Sequence, residues 1–284
     1  MKVNKHTGKV IIAGAGPGDP ELITIKTIRW LQRAEVILTD RLVSAEILKL
    51  YANPQAEIIY VGKQRGRGAS TPQSSINQLL VQYAQSGKLL VRLKGGDVSV
   101  FSNILDELKI LAQHKIPYEI IPGITAGLGA AAYSGIPLTA RGFSNAIRFL
   151  TFYKTDVLSS EYWKDLADTD DTLVFYMSTE TLEQVVDNLV KNKIAAEKLL
   201  AVVEQATTPN QQVYVSSLYE YEKRLRGKEF ISPSLVIIGK VVSLHEQFAW
   251  LAGTDTHQPY FDEVSAAIKK LITPDKEKLY AGRA

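Results

Sequence analysis

The sequence contains no cysteine, which excludes disulfides, thiolate nucleophiles and cysteine-based metal sites. Its four histidines are scattered and form no His-x-x-x-His pair, so we expect no metal site. No apolar run approaches the roughly 18–20 residues that a membrane span requires. The first residues lead into a strand without the apolar core of a signal peptide. We therefore expect a soluble, cytoplasmic protein with no membrane partner.

Neither positive nor negative charge is in large excess. The 284 residues carry a net charge of +3, with 45% hydrophobic and 22% charged residues. So small an excess gives no reason to expect a nucleic-acid partner, although it agrees weakly with an anionic ligand. The composition is that of an ordinary globular protein, long enough for two modest domains.

Apolar runs alternate with helical spacing through the first half of the chain. Asp19 and Pro20 are expected to start the first helix, in which Leu22, Ile25 and Leu31 share a face. Strands separated by helices of this length predict βαβ units and a parallel sheet. The predicted strands are Val10–Ala15, Val36–Thr39, Glu57–Val61, Lys88–Leu93 and Tyr118–Ile121, and later helices are Gln73–Gln85 and Ile104–Ala112.

The second half has longer strands that favour antiparallel pairing. Met177 ends one of them and is interpreted most simply as a core residue. The predicted strands are Ala146–Phe152, Thr172–Met177, Leu199–Glu204, Gln212–Val215 and Ser234–Val242, with one helix at Thr181–Asn192. This pattern predicts a second α/β domain with a mixed sheet. We place the N-terminal α/β domain at residues 1–122, a connecting segment at 123–144, the C-terminal domain at 145–252 and a peripheral tail at 253–284.

Three strand ends in the first hundred residues carry glycines or carboxylates. The segment 14–19 (Gly-Ala-Gly-Pro-Gly-Asp) follows the first strand, Asp40 the second and the segment 95–97 (Gly-Gly-Asp) the fourth. Ligands of open α/β sheets collect beyond the carboxyl ends of strands, and glycines let the backbone come close to a ligand. The pattern therefore predicts one pocket that the three strand ends share.

The glycines do not match the motifs that bind phosphate chains. The last glycine of Gly-x-Gly-x-x-Gly falls at Asp19, and Pro17 removes a backbone donor. No Walker sequence is present. The glycines therefore fit a nucleoside-type ligand without a phosphate chain, or only a turn.

Two other features have a structural and a functional interpretation. Asp40 is either a helix-flanking carboxylate paired with Arg41, which the residues alone slightly favour, or a strand-end group that takes up a proton. Lys63, Arg65 and Arg67 lie in a glycine-rich loop. They are either solvated or face the carboxylates of a polyanionic substrate.

Taken together, these motifs resemble the tetrapyrrole methylase superfamily, and within it most closely the uroporphyrinogen-III C-methyltransferase branch. The resemblance covers about residues 10–251. It rests on the segments Gly14–Leu22, Asp40–Ser44, Tyr60–Lys63, Arg92–Asp97, Pro122–Ala126, Gly135–Thr139 and Val236–Gly239.

The resemblance implies two α/β domains with the active site in the trough between them, usually in a homodimer. It implies S-adenosylmethionine as the cofactor and no metal. Asp40 matches the family's proton acceptor and Lys63 its proton donor, while Arg41, Arg65 and Arg67 would bind substrate carboxylates. The matching cofactor contacts are Pro17, Gly95, Gly96, Asp97, Val100, Thr125, Ala126, Met177 and Ala206.

The implied reaction methylates ring carbons C2 and C7 of uroporphyrinogen III, giving precorrin-2 for sirohaem and cobalamin synthesis. Several motifs depart from the family pattern. The segment 98–104 replaces Pro-Phe-x-Phe-Gly-Arg-Gly, Ala140-Arg141 replaces His-Arg, residues 152–154 replace Thr-Gly-His, and Ala206 replaces a glycine. The alternatives are therefore a methylase of another corrin precursor or of RNA, or a non-catalytic member that binds tetrapyrrole or S-adenosylhomocysteine.

Overall fold

The structure is a computed structural model that describes residues 8–61, 71–253 and 256–261. The described chain forms two compact units, which meet in sequence between Thr125 and Ala126. The first extends from residue 8 to Thr125, and the second from Ala126 to Tyr260. None of the helices in the described ranges combines the length and apolar composition that crossing a bilayer requires.

The first unit is an open parallel sheet with helices between its strands, as predicted. The strands are β1 (Lys9–Gly14), β2 (Val36–Thr39), β3 (Glu57–Tyr60), β4 (Leu89–Lys94) and β5 (Tyr118–Ile121), in the order β3-β2-β4-β1-β5. All four strand pairs are parallel. The helices are α1 (Ile25–Leu31), α2 (Ala45–Tyr51), α3 (Gln73–Gln85) and α4 (Ile104–Gln113). The carboxyl ends of the strands therefore lie at one edge of the sheet.

The predicted cap at Asp19 and first helical residue at Pro20 are confirmed, but they start a 3-10 turn and not helix α1. The Asp19 carboxylate does accept a hydrogen bond from the backbone of Glu21 (2.8 Å), but it caps only a 3-10 turn at Pro20–Leu22. Helix α1 begins later, at Ile25, where the Thr24 side chain caps it. A capping carboxylate followed by proline suits either kind of helical turn, so the local pattern could not separate them.

Both faces of the first sheet are buried. Alternate residues of β1 enter two different apolar clusters: Ile11 and Ala13 pack in one, and Val10 and Ile12 in the other. Side chains of a strand point to opposite faces in turn, so each face is covered by its own layer. This explains why the strands appear in the sequence as continuous apolar runs.

The second unit has the mixed sheet that the sequence predicts. Its strands are β6 (Ile147–Thr151), β7 (Thr172–Tyr176), β8 (Leu199–Glu204), β9 (Gln212–Ser217) and β10 (Ser234–Gly239), in the order β6-β7-β10-β8-β9. Only the β6–β7 pair is parallel among these strands. The helices are α5 (Ala126–Tyr133), α6 (Ser160–Asp168), α7 (Leu182–Lys191), α8 (Tyr221–Arg224) and α9 (His245–Phe248).

Helix α6 is absent from the sequence-based assignment. It is a nine-residue helix that Ser159 caps, and it buries Trp163, Leu166 and Ala167. Because β6 and β7 are parallel, the chain needs a crossover between them, and α6 supplies it. The prediction of antiparallel strands in this half left no reason to look for such a crossover.

Three glycines meet at the carboxyl edge of the first sheet: Gly14 at the end of β1, Gly96 after β4 and Gly123 after β5. We call them the three-glycine junction. A Cβ atom on Gly123 would lie 2.3 Å from the carbonyl oxygen of Gly96 and 2.9 Å from Cα of Gly14. A Cβ atom on Gly14 would lie 2.6 Å from the backbone nitrogen of Gly123. No side chain fits here unless the backbones separate.

We predict that Gly123→Ala destabilises the protein by about 1–3 kcal/mol, because the added methyl meets backbone that cannot rotate away. Gly239→Ala is the matched control, because its Cβ would lie an ordinary 3.5 Å from Thr172. Urea unfolding of both variants measures the difference. Equal stability of the two variants would contradict the close approach at the junction.

Candidate functional site

The loops that follow β1 and β4 are joined to each other beyond the sheet. The backbone nitrogen of Gly96 donates to the carbonyl of Gly16 (2.7 Å), and the nitrogen of Gly16 donates to the carbonyl of Gly96 (3.2 Å). Both residues have a left-handed backbone, with φ of +82° at Gly16 and +68° at Gly96. Glycine adopts this conformation without steric cost, so the sequence permits the pairing.

Gly95 and the junction glycines serve packing between loops as well as any ligand. A Cβ atom on Gly95 would lie 2.8 Å from both Cβ and the carbonyl oxygen of Leu42, in the loop after β2. Gly14 and Gly123 likewise face each other. The expectation that glycines open this edge to a ligand is therefore incomplete, because their first effect is to bring the loops together.

Asp97 ties the β4 loop to the β5 loop. Its carboxylate accepts hydrogen bonds from the backbone of Ser99 (2.8 Å), the hydroxyl of Ser99 (2.5 Å) and the backbone of Gly123 (2.9 Å). The residue is only 7% exposed. Burial would raise the pKa of Asp97, but these hydrogen bonds outweigh it and hold the pKa below its ordinary value of 3.8. The carboxylate is thus ionised at neutral pH and fixes the loop.

Asp40 lies at the end of β2, beside the same loop. One carboxylate oxygen accepts a hydrogen bond from the backbone of Gly95 (3.3 Å), and the other contacts Nη2 of Arg92 (3.4 Å). About a quarter of its side chain, 26%, is exposed. Asp40 is therefore held in place at the edge and yet accessible from solvent, which a group that exchanges a proton requires.

A cluster of buried charges lies under this edge, and the sequence analysis missed it. It consists of Arg92 and Lys94 on β4 and Glu107 on α4, which we call the β4 charge cluster. One carboxylate oxygen of Glu107 accepts from Nε of Arg92 (3.0 Å) and from Nζ of Lys94 (3.2 Å). Burial lowers the pKa of Lys94, although the Glu107 carboxylate opposes that effect. The available signal was two basic residues two apart within an apolar strand.

The second sheet also gathers residues at one edge. The start of β10 lies between the ends of β7 and β8, since Leu235 lies opposite Tyr176 and Ser234 lies opposite Glu204. Met177 follows β7 at this edge with a left-handed φ of +55°, and half of it is exposed (50%). The prediction that Met177 is a core residue is wrong, because the left-handed turn ends the strand and takes the side chain out of the alternating pattern.

Several residues other than glycine have a left-handed backbone. Seven occur in the described ranges. Two of them, Lys115 and Lys193, follow helices α4 and α7, where such a residue is ordinary. Met177, Gln205 and Thr207 lie within three residues of the ends of β7 and β8, while Phe101 and Asn103 lie between β4 and α4, with Asn103 as the cap of that helix. Conformations of this kind cost free energy and cluster where loops bind ligands.

The turn after β8 is fixed by buried side chains. Gln205 is fully buried; its Nε2 donates to the carbonyl of Gln258 (3.1 Å), and its Oε1 accepts from the backbone of Tyr260 (2.5 Å). The backbone of Thr207 donates to Oε1 of Gln211 (2.8 Å). Ala206 sits between these anchors and is itself buried. The hydrogen bonds of Gln205 with Gln258 and Tyr260 therefore hold this turn in one conformation.

The remaining sequence-predicted residues are distributed as follows. Pro17 and Thr125 are buried and Val100 and Arg41 partly buried in the first unit, while Ala126 opens α5 in the second. Lys63, Arg65 and Arg67 lie outside the described residues. Within the described ranges, no group of three or more His, Asp or Glu side chains is arranged to hold a metal ion.

Comparisons with known proteins identify the class of protein that this fold and site define. Residues 9–222 match the model of the tetrapyrrole (corrin/porphyrin) methylases. The chain belongs to this family, as the sequence motifs predict.

One curated relative and two solved structures are similar to this chain over most of its length. The siroheme synthase of Saccharophagus degradans is 45% identical over 246 residues, covering 87% of this chain and 53% of that protein. The chain thus spans about half the length of the curated relatives it matches. The crystal structure of uroporphyrin-III C-methyltransferase from Thermus thermophilus superposes with a TM-score of 0.71 at 31% identity, covering 87% of this chain and 98% of that one. A structure of the Thermus thermophilus enzyme complexed with S-adenosyl homocysteine is similar at a TM-score of 0.68 and 33% identity, covering 83% and 93% of the two chains. These structures share the predicted fold of two α/β domains.

We predict that Asp97→Asn costs about 1–3 kcal/mol at neutral pH, because the amide replaces a charged acceptor of three hydrogen bonds. The folded pKa of Asp97 lies below the unfolded one, so the contribution is complete above about pH 4 and is lost as pH falls further. Urea midpoints of both proteins between pH 7 and pH 3 test this. A difference that does not shrink below pH 4 would contradict the assignment.

We also predict that Met177→Gly is about 1 kcal/mol more stable than Met177→Ala, because glycine accepts the left-handed backbone and alanine does not. Both substitutions remove the same half-exposed thioether, so alanine is the matched control. Thermal unfolding of the two variants gives the comparison. Greater stability of the alanine variant would show that the turn is not left-handed.

Proposed function

We propose that the chain is a methyltransferase that methylates C2 and C7 of uroporphyrinogen III to give precorrin-2. The family membership and the likeness to the Thermus thermophilus enzyme support this substrate and reaction. The observation that carries the proposal is the carboxylate of Asp40, which is fixed by Gly95 and Arg92 and yet accessible at the sheet edge. Transfer of a methyl group to a pyrrole carbon must be followed by loss of a proton, and we assign Asp40 as the group that accepts it.

The donor would be S-adenosylmethionine, which supplies a methyl group activated on a sulfonium. The residues present fit such a nucleoside ligand: Gly95, Gly96 and Val100 are partly exposed in one loop that Asp97 fixes. In the second unit, the half-exposed Met177 follows β7 at the same sheet edge as the turn after β8. The proposed contacts are Pro17, Gly95, Gly96, Asp97, Val100, Thr125, Ala126, Met177 and Ala206.

The chain's own residues would bind and orient the substrate. We assign Lys63 as the proton donor and Arg41, Arg65 and Arg67 as ligands of the substrate carboxylates, on the likeness of their motifs. Guanidinium groups bind carboxylates with two hydrogen bonds and so fix orientation as well as position. Fixed orientation is what the reaction needs, because rate depends on aligned reacting atoms.

The proposal includes a homodimer in the cytoplasm that serves sirohaem or cobalamin synthesis. It includes no metal, membrane or nucleic-acid partner. The composition supports this reading through its lack of cysteine and its small net charge of +3.

A second candidate is a family member that binds its ligands without turnover. One observation favours it: Phe101 and Asn103 are left-handed in the loop after Asp97, and this loop lacks the Gly-Arg-Gly of the family pattern. The side chains of Ser102 and Ile104 stand where the family has glycines. They could narrow the space available to the substrate.

The test is an anaerobic transfer assay with S-adenosylmethionine and freshly prepared uroporphyrinogen III, followed by mass analysis of the product. We expect a gain of two methyl groups. Asp40→Asn should lower the rate by about 10²–10⁴-fold, because it removes the proton acceptor. Asp106→Asn, a partly exposed carboxylate of α4, is the control and should leave the rate unchanged.

Calorimetry with S-adenosylhomocysteine separates the two candidates. Binding together with turnover supports the methyltransferase, and binding without methylated product supports the second candidate. Absence of S-adenosylhomocysteine binding would exclude the methyltransferase and leave only a non-catalytic member that binds tetrapyrrole.

A further inference from the structure

Burying the β4 charge cluster costs free energy. The side chains of Arg92, Lys94 and Glu107 are 4%, 6% and 0% exposed. Removing such charges from water costs several kcal/mol per ion, and apolar residues of similar volume often stabilise a fold more. Stability alone therefore does not explain why β4, otherwise apolar, carries two cations that face a buried carboxylate.

The contacts of Arg92 leave its guanidinium one orientation. Its Nε donates to Glu107 (3.0 Å), and its Nη1 donates to the carbonyls of Leu93 (3.1 Å) and Leu38 (3.4 Å). The planar guanidinium is thus fixed along one side and at one end. The nitrogen that remains, Nη2, is directed at Asp40 (3.4 Å).

Lys94 shares with Arg92 the negative charge of Glu107, so Glu107 alone does not neutralise Arg92. Arg92 and Lys94 share a single oxygen of Glu107, and the other oxygen of that carboxylate has no hydrogen-bond partner in the described structure. One carboxylate therefore faces two cations. Asp40 is the second carboxylate within reach of Arg92, so the cluster and Asp40 together carry two charges of each sign.

We propose that Arg92 is a positioning residue for Asp40 and that Glu107 holds it in that role. Arg92 and the backbone nitrogen of Gly95 together fix the two oxygens of the Asp40 carboxylate at the carboxyl edge of the sheet. Arg92 itself does not touch the substrate, because it is buried. This inference rests on the proposed function, in which Asp40 accepts a proton.

A merely structural role for Arg92 makes a different prediction from a positioning role. A structural defect would slow the reaction whether or not Asp40 is present, and it would weaken cofactor binding as well. A positioning defect acts only through Asp40, so it disappears once the carboxylate is gone. Non-additivity of two substitutions is the measurable sign of this dependence.

The experiment is a double-substitution cycle on the full chain, read by single-turnover methyl transfer to uroporphyrinogen III. Arg92→Lys keeps the positive charge and loses the fixed fork, so it should slow transfer by about 10- to 100-fold in the wild-type background. In the Asp40→Asn background the same change should have no further effect. Glu107→Gln should show the same dependence on Asp40. Calorimetric affinity for S-adenosylhomocysteine should change less than twofold in all variants.

Every other outcome contradicts either the positioning role of Arg92 or the proposed function. An equal loss of rate in both Asp40 backgrounds, or a matching loss of S-adenosylhomocysteine affinity, would overturn the positioning role and leave the proposed function intact. A wild-type rate in Arg92→Lys would also overturn it. A wild-type chain that transfers no methyl group would overturn the proposed function and this inference with it.

Discussion

The close approach of backbone at Gly14, Gly96 and Gly123 is the constraint on which the candidate site depends. A Cβ atom at Gly123 would lie 2.3 Å from the Gly96 carbonyl, so any side chain would force the loops apart. Two further links need that closeness: the paired hydrogen bonds of Gly16 with Gly96, and the hydrogen bond from Gly123 to Asp97. The shape of the β1, β4 and β5 loops thus depends on the absence of side chains at Gly14 and Gly123.

Costs that a stable fold would avoid are concentrated near the sheet edges. Three charged side chains are buried beneath the first edge, and three left-handed residues other than glycine follow β7 and β8 at the second. Natural proteins keep such local conflicts mainly where function requires them. Gln205, for example, is held by hydrogen bonds with Gln258 and Tyr260. These features single out the two sheet edges as candidate functional regions, independently of any likeness to relatives.

The sequence predicted the parts of this structure that local patterns determine. Buried strands such as β1 and β2 appear as apolar runs, and their spacing indicated a parallel sheet. Contacts between residues far apart in sequence were not predictable in the same way. Arg92 meets Asp40 across 52 positions, and only the insertion of β4 between β1 and β2 brings them together. Met177 was misassigned for a related reason, because a left-handed turn is set by its surroundings.

The most direct test is to locate the binding site of the cofactor on the first unit. Chemical shifts of a chain labelled with ¹⁵N only at glycine would be followed while S-adenosylhomocysteine is added. If the cofactor binds at the carboxyl edge of the first sheet, the amide signals of Gly95, Gly96 and Gly123 will shift. Those of Gly142 and Gly227, which have open space around them, will not. Shifts confined to glycines away from the three loops would contradict the claim that this edge is the cofactor site.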